Sequence, residues 1–409
     1  MLSSSPLRIA LLTYSTKPRG SVIHTLELAI ALHALGHEVC VYALDKDGQG
    51  FERSLPCKVE LIPAHPAPTD MDRLIRQRIQ EFVDGVQQGD RPYDIYHAQD
   101  CLSANAITQL RTLNSRHVES SYLVRTVHHI EHYTSPYLQE CQDRSIREAD
   151  LCCCVSHHWQ EQLMTHFDIH APRVINGINT ERFSAVPTGK EAALRERLGI
   201  RTEPSAPVFL TIGGIEPRKN SIQLLRAFAD VLTVHPHAQL VIAGGATLFD
   251  YQPYRDQFFS EVAHLGISTD TSLILPGVIA DEDLPVLYRT ADAFVFPSVK
   301  EGWGMVILEA IASGLPVIVS HQPPFTEFLS PDQVLWVDPN NATAIAHSML
   351  SVLSPSVRKP LIDASQNVLS TYTWTASALL HDNHYRQVLK SKEPLPTHEA
   401  GALSALPSL

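Results

Sequence analysis

Residues 294–320, FVFPSVKEGWGMVILEAIASGLPVIVS, constrain the fold of this chain more than any other stretch. The apolar triplet at 294–296 predicts a short buried strand, and 317–319 predicts the next one. Between them, the spacing of one helix face is carried by Val306, Ile307, Ala310 and Ile311. Gly314 ends that helix. A strand, a turn, a helix and a second strand in this order predict one βαβ unit of a parallel sheet.

The turn inside this unit is nearly bare of side chains, because it contains Gly302 and Gly304. A helix that begins after such a turn presents unpaired N–H groups and the positive end of its dipole, which favours phosphate. Glu301 and Glu309 flank that position, eight residues apart. Two carboxylates beside an anion site suit a ligand that carries both hydroxyl groups and phosphates. The same spacing is compatible with an ordinary turn and two solvated glutamates.

The segment EGWGMVILE resembles the E-x7-E signature of the retaining glycosyltransferases of family 4, which have the GT-B fold. The resemblance implies an α/β chain of two Rossmann-like, doubly wound parallel-sheet domains that face each other across a cleft. It also implies a hexosyltransferase-type enzyme that takes its sugar from a nucleotide-diphosphate sugar, with uridine expected rather than guanosine. By resemblance, Glu301 contacts the donor sugar and Glu309 the ribose hydroxyls. The same resemblance places Gly304, Met305 and Val306 in the donor site.

The length and composition predict two or three domains, since 409 residues with 44% hydrophobic side chains can build ordinary cores. The cysteine pattern and the expected lack of a signal peptide, described below, predict a reducing, cytoplasmic location. A formal net charge of −12 argues against non-specific binding to nucleic acid or to an anionic membrane. We expect no membrane span and no signal peptide, because the chain lacks the apolar runs that either needs. The cysteines at 152–154 lie in a strand pattern without metal-ligand spacing and are predicted to be buried and reduced.

The first half of the chain predicts a doubly wound sheet, beginning with a strand at 8–13, a helix at 22–35 and a strand at 37–43. No G-x-G-x-x-G joins the first strand to the helix, which disfavours a nicotinamide cofactor. Further strands are predicted at 59–62, 94–97, 123–127 and 151–155. By resemblance, Gly20 belongs to the loop in which family members bring their backbone close to the donor. Ser21 replaces the second glycine of that loop.

Two stretches of this half leave alternatives open. The amphipathic helix predicted from Met71 carries several arginines, which fits either weak peripheral membrane contact or a solvated face. His97, Gln99 and Asp100 end a strand and either face a cleft or cap the next helix.

A histidine-rich stretch follows the strand at 123–127. His128 and His129 lie at its carboxyl end, where open α/β sheets bind ligands. With Glu131 and His132 a metal cluster is conceivable, but the spacing matches no standard ligand set on one helix face. By resemblance, the motif T-V-H places the histidine that contacts the donor sugar at His128, and His129 stands where family members often have aspartate.

The second half repeats the pattern of a strand at 208–212, a glycine loop and a helix from Ser221. Arg218 and Lys219 lie between the loop and the helix, where a guanidinium can bind phosphate in a bidentate way and an ammonium acts as a point charge. Surface pairs of this kind are common, but the position favours a diphosphate site. By resemblance, G-x-x-x-P-R-K beginning at Gly213 is the diphosphate loop of the family, which makes Arg218 and Lys219 candidates for catalysis.

After the strand predicted at 273–275, Val278 resembles the family position whose backbone lines the nucleobase. The carboxylates at 281–283 could be mistaken for a metal-binding D-x-D, but a helix predicted from Leu284 makes capping the better explanation. We therefore expect no metal, with fixed cations supplying the positive field. No side chain stands out as a covalent nucleophile, which is compatible with the front-face mechanism that the resemblance implies.

The pattern predicts a first domain at 1–185, a second at 186–372, a helix at 373–392 that crosses back in the resembling fold, and a disordered tail at 393–409. The acceptor is an unknown small molecule, glycan or lipid, and nucleic acid is not expected. An epimerase or phosphorylase of the same fold and a non-catalytic nucleotide-sugar-binding protein remain alternatives. An epimerase would give product without a second acceptor, and a phosphorylase would use free phosphate. A non-catalytic binding protein would bind the donor without turnover.

Overall fold

The computed structural model describes residues 5–203, 205–245 and 251–391, and the tail predicted at 393–409 lies outside them. Within the described residues the strands form two parallel sheets of six strands each. This arrangement confirms the predicted α/β fold of two doubly wound sheets. Each sheet is covered by helices on both faces, which explains why its strands are near-continuous apolar runs.

The first sheet contains β1 (Arg8–Thr13), β2 (Glu38–Asp45), β3 (Lys58–Pro63), β4 (Ile95–Ala98), β5 (Tyr122–Val127) and β6 (Leu151–Cys154). Its helices are α1 (Gly20–Ala34), α2 (Met71–Gln87), α3 (Cys101–Thr112), α4 (Pro136–Arg147) and α5 (His157–Phe167). The strand order is β3-β2-β1-β4-β5-β6, so the chain reverses its direction of winding between β1 and β4. We call these elements the first domain. Ligands of such sheets bind at the carboxyl ends of the strands beside that reversal.

The second sheet contains β7 (Val208–Ile212), β8 (Gln239–Ala243), β9 (Leu273–Gly277), β10 (Ala293–Phe296), β11 (Val317–Ser320) and β12 (Leu335–Val337). Its helices are α6 (Glu191–Leu198), α7 (Ser221–Val234), α8 (Gln252–His264), α9 (Leu284–Tyr288), α10 (Met305–Ala312), α11 (Ala342–Ser351) and α12 (Pro355–Leu369). Single 3₁₀ turns occupy Pro217–Lys219 and Phe325–Glu327. The order β12-β11-β10-β7-β8-β9 places the reversal between β7 and β10. We call these elements the second domain.

The last described helix, α13 (Trp374–Lys390), packs on the first domain. Asp382 lies 3.2 Å from Nε2 of His37, and the hydroxyl of Tyr385 lies 2.6 Å from Nδ1 of His97. Among the described residues, none of the helices has the length and apolar character that crossing a bilayer requires. The run Cys152, Cys153 and Cys154 is buried and free of disulfides, as its strand pattern predicted.

One local expectation is wrong. Asp283 makes no side-chain cap at the start of α9, because its carboxylate pairs with Arg197 instead.

The arginines of α2 do not share one environment. Arg78, one of the arginines for which a solvated face and membrane contact were left open, is buried with Glu81, and the two form an ion pair with a distance of 2.7 Å between the paired atoms. A membrane surface therefore has fewer exposed charges of α2 to contact than the helical pattern suggested.

Candidate active site

The Arg218 and Glu301 loops lie side by side because they follow β7 and β10, the neighbouring strands at the reversal of the second sheet. A backbone bond joins them, since the N–H of Val299 donates to the carbonyl of Arg218 over 2.8 Å. Gly213 and Gly302, which lie 89 positions apart in the sequence, are thereby brought to the same edge of one sheet.

Glu301 forms ion pairs with both cations of the predicted diphosphate loop. Its carboxylate lies 2.6 Å from Nζ of Lys219 and 3.1 Å from Nη1 of Arg218. Nε of Arg218 donates to Glu216 over 2.9 Å, so the cluster holds two cations and two carboxylates. Burial favours the neutral form of Glu301, but Lys219 and Arg218 outweigh it and hold the pKa of Glu301 below its usual range. Burial, assisted by Arg218, lowers the pKa of Lys219 to about 8.

Gly213 allows the aliphatic part of Lys219 to lie against the backbone. A Cβ at Gly213 would collide with the Lys219 side chain, and the φ of +133° there disfavours other residues. On its other side the Lys219 ammonium lies 4.5 Å from the centre of the Phe296 ring. The glycine of the motif therefore sets the position of Lys219 as well as opening the loop.

Glu309 lies in α10 and faces α9. Its carboxylate accepts a 2.8 Å hydrogen bond from the hydroxyl of Tyr288. Burial raises the pKa of Glu309 to about 7, although Tyr288 and Arg182 act in the opposite direction. The preceding helix start is made by Gly304 at φ +106°, where a Cβ would lie 2.9 Å from the ring of Phe325.

The first domain closes over this edge. His128 follows β5, with Nε2 2.9 Å from Oε1 of Gln99, and its carbonyl packs so closely on Gly302 that a Cβ there would collide with it. Burial, together with His24 and Arg125, holds the pKa of His128 well below its usual range. Gly20, at the start of α1, faces the tip of Met305 across the cleft, at 3.9 Å from an added Cβ.

Not every predicted residue joins this arrangement through its side chain. Val278 follows β9 with a side chain that is 63% exposed, so only its backbone is a candidate for contact with a base. Val306 contributes its carbonyl, which lies 3.3 Å from the Tyr288 hydroxyl. Glu131, weighed above as a metal ligand, pairs with Lys300 over 2.9 Å. Among the described residues, the structure contains no group of three histidine, cysteine or acidic side chains arranged to hold a metal ion.

The residues left open at the end of β4 have separate roles. His97 is buried between Tyr385 and the Thr126 hydroxyl, and Gln99 contacts His128. Asp100 caps α3 by accepting from the N–H of Ser103 over 2.9 Å.

Sequence reasoning missed Glu216, Tyr288 and Trp159. Glu216 accepts a hydrogen bond from Arg218, and Tyr288 donates one to Glu309. The indole N–H of Trp159 donates to the carbonyl of Glu301 over 3.2 Å. Each is a single residue whose partner is distant in sequence or set by packing, so no spacing could have revealed it.

Comparisons with known proteins agree with this geometry. The family described as Glycosyltransferase Family 4 matches residues 18–182, and the family described as Glycosyl transferases group 1 matches residues 193–367. An uncharacterized glycosyltransferase of Methanocaldococcus jannaschii is 27% identical over 93% of this chain and 98% of its own length.

Two solved structures share the fold over almost the whole chain. Sucrose-phosphate synthase of Thermosynechococcus elongatus superposes with a TM-score of 0.75 at 23% identity, over 94% of this chain and all of the other. HepE of Anabaena in complex with UDP-glucose superposes with a TM-score of 0.73 at 19% identity, over 94% and 100% of the two chains. The two sheets, the motifs at their facing edges and the family matches agree: this chain is a GT-B glycosyltransferase of the family 4 type.

Proposed function

We propose that this enzyme transfers a glycosyl group from a UDP-sugar to a second substrate with retention of anomeric configuration. The observation that carries the proposal is the cluster of Arg218, Lys219 and Glu301 beside the helix that bears Glu309. The complex of the structurally similar HepE with UDP-glucose supports a nucleotide sugar as the donor. The acceptor, a small molecule, glycan or lipid, is left open, and we place the enzyme in the reducing cytoplasm.

In the proposed reaction the protein acts mainly through fixed charges. The diphosphate leaves with growing negative charge, which Arg218, Lys219 and the helix start at Gly304 stabilise. A diphosphate beside Lys219 would also raise the pKa of that ammonium above its present value of about 8, because an opposite charge favours the charged form. These groups supply the field that a metal supplies elsewhere, so we propose that no metal is required.

The two glutamates and His128 would hold the donor. Glu309 would accept hydrogen bonds from the ribose hydroxyls, and Glu301 would turn from the cations to the hydroxyls of the donor sugar. His128 reaches the sugar from the first domain as a neutral imidazole, since burial keeps its pKa low. In the front-face mechanism a leaving phosphate oxygen takes the proton of the acceptor, so the protein supplies no covalent nucleophile.

The first experiment is thermal unfolding against a panel of nucleoside diphosphates and nucleotide sugars, with and without a chelator. A ligand at about 100 times its dissociation constant stabilises the folded protein by roughly 2.7 kcal/mol. A shift that is selective for uridine and unchanged by the chelator supports the proposal.

Each other outcome removes a defined part of it. A preference for guanosine would replace the base, and loss of the shift with chelator would require a metal. No shift with any compound would mean that the Arg218 loop does not bind diphosphate.

A further inference from the structure

Three successive residues of the loop that carries Glu301 contact the first domain. We call residues 299–302 the Glu301 loop. Within its own domain, Val299 is bonded to the carbonyl of Arg218. The following three residues contact the other domain: Lys300 pairs with Glu131, the carbonyl of Glu301 accepts from Trp159, and Gly302 lies against His128.

Trp159 is well placed to fix this loop, because both its backbone and its ring have contacts within the first domain. Its backbone N–H donates to the side-chain hydroxyl of Ser156, the N-cap of α5, over 3.2 Å. Its ring is 4% exposed and lies in an edge-on contact with His158, with the ring centres 4.8 Å apart. The indole N–H therefore points at the Glu301 carbonyl from a rigid support, at a distance of 3.2 Å.

We propose that Trp159 is a positioning residue whose indole N–H orients the peptide after Glu301, so that the Glu301 carboxylate is aimed correctly only when the two domains are together. This inference rests on the proposed function, because it requires Glu301 to act on the donor sugar. Trp159 contacts the loop and not the donor, so it acts through Glu301.

The backbone anchor matters because the side chain must change partners. Without donor, Glu301 is held by Lys219 and Arg218. When the diphosphate takes over those cations, the carboxylate loses the contacts that now define its direction. The next residue is Gly302, which adds no side chain to restrain the chain. The hydrogen bond from Trp159 is then the restraint nearest to the Glu301 Cα.

Trp159→Phe tests the idea by removing the N–H while keeping an aromatic ring. The matched control is Trp336→Phe in β12, outside the segment 301–309, where the ring packs against His321 with the ring centres 5.1 Å apart. Two quantities are measured: the rate at which UDP-glucose is hydrolysed or transferred, and the dissociation constant of UDP. We expect Trp159→Phe to lower the rate about tenfold, the size of one lost hydrogen bond, with the UDP constant changed less than about twofold. The control should change neither by more than about twofold.

A second pair of variants separates positioning from general damage. Glu301→Asp keeps the charge but withdraws the carboxylate, so in that background Trp159→Phe should cost less than about threefold. A full tenfold loss there, or an equal loss of UDP affinity in Trp159→Phe, would assign Trp159 a structural role only. A wild-type protein that binds no nucleoside diphosphate would instead overturn the proposed function, and this inference with it.

Discussion

Glu301 is paired with the two cations that the proposed function assigns to the diphosphate. In the structure it neutralises Lys219 and Arg218, with Glu216 on the far side of Arg218. The cluster is thus close to electroneutral, which limits the cost of burying it. In the proposed reaction a diphosphate would displace the Glu301 carboxylate from these cations.

Glu301→Gln should therefore separate binding from turnover. A neutral amide competes less for the cations, so UDP should bind about as tightly as to the wild type or up to about tenfold more tightly, while turnover of a UDP-sugar falls at least about a hundredfold. Without ligand the variant should be less stable, because Lys219 and the partly exposed Arg218 lose a charged partner, and UDP should restore the loss. Calorimetry and thermal unfolding measure both effects. Clearly weaker UDP binding by the variant would contradict this account.

Glu309 predicts a pH dependence of donor binding. Its pKa is raised to about 7 by burial, and the proposed bonds from two ribose hydroxyls are stronger to the charged carboxylate than to the neutral acid. Affinity for a UDP-sugar, whose diphosphate does not titrate near neutrality, should therefore fall as the pH drops from 7 to 5.5, a range in which Lys219, with a pKa of about 8, is already charged. Tyr288 donates to the charged form, so Tyr288→Phe should raise the pKa of Glu309 and move the fall in affinity to higher pH. A profile that stays in place in this variant would exclude Glu309 as the titrating group.

Whether a residue's place in the site could be predicted depended on whether that place is set by the local sequence or by tertiary packing. Gly304 and Lys219 could be predicted, because a turn with positive φ and a cation next to a glycine loop are both visible in the local sequence. The partners Tyr288 and Trp159 were not, since each reaches its glutamate from an element placed by tertiary packing. The burial of Arg78 and Glu81 could not be predicted for the same reason, because it depends on the segment after β3, where the carbonyl of His65 accepts from Arg78.

At the scale of whole elements, the strands named in the sequence analysis agree with the structure within one or two residues at each end, because buried parallel strands are short apolar runs. Helix α8 was not predicted, since only Phe258 and Val262 of it are buried and its pattern is weak. The prediction of a side-chain cap at α9 was wrong, because a carboxylate that precedes a helix can equally well pair with a nearby arginine, as Asp283 does with Arg197.

Helix α5 links the two domains through its first turn. The Glu327 carboxylate, which belongs to the second domain, accepts from the N–H of His157 over 2.7 Å and of His158 over 2.9 Å. An anion at a helix N-terminus is favourable both as a hydrogen-bond acceptor and through the dipole. The helix that carries Trp159 is thereby tied to the domain that carries Glu301.

Glu327→Ala should consequently favour a more open arrangement of the domains. The lost cap contributes about 1–2 kcal/mol, and it stabilises only the arrangement in which the two domains are in contact. We expect a larger radius of gyration by small-angle scattering without donor, and UDP-sugar affinity lower by about three- to tenfold. Ser156→Ala is the control, because it removes a cap of the same helix from within the first domain. It should lower thermal stability and leave the radius unchanged; equal radii in all three proteins would refute the link.

At the scale of the whole molecule, helix α13 is joined to the first domain through buried histidines. His381 of α13 lies 5.8 Å from His24 of α1 and 5.5 Å from His97 of β4, measured between ring centres. His24 in turn lies 4.9 Å from His128. All four rings have lowered pKa values because burial penalises the charged form.

This packing makes the fold sensitive to acid. The pKa of His24 falls from 6.5 to about 4 and that of His381 to about 3, so the unfolded chain binds protons between pH 6.5 and 4 that the folded protein does not. The free energy of unfolding should therefore be unaffected by these histidines above pH 6.5 and should decrease as the pH falls, by roughly 3 kcal/mol for His24 alone at pH 4. Urea unfolding from pH 7.5 to 4.5 should show this loss. His24→Gln and His381→Gln should each reduce the dependence of the free energy of unfolding on pH. His166→Gln, at an exposed site, should not change it. An unchanged slope in both buried variants would mean that the acid-induced loss of stability arises from other groups.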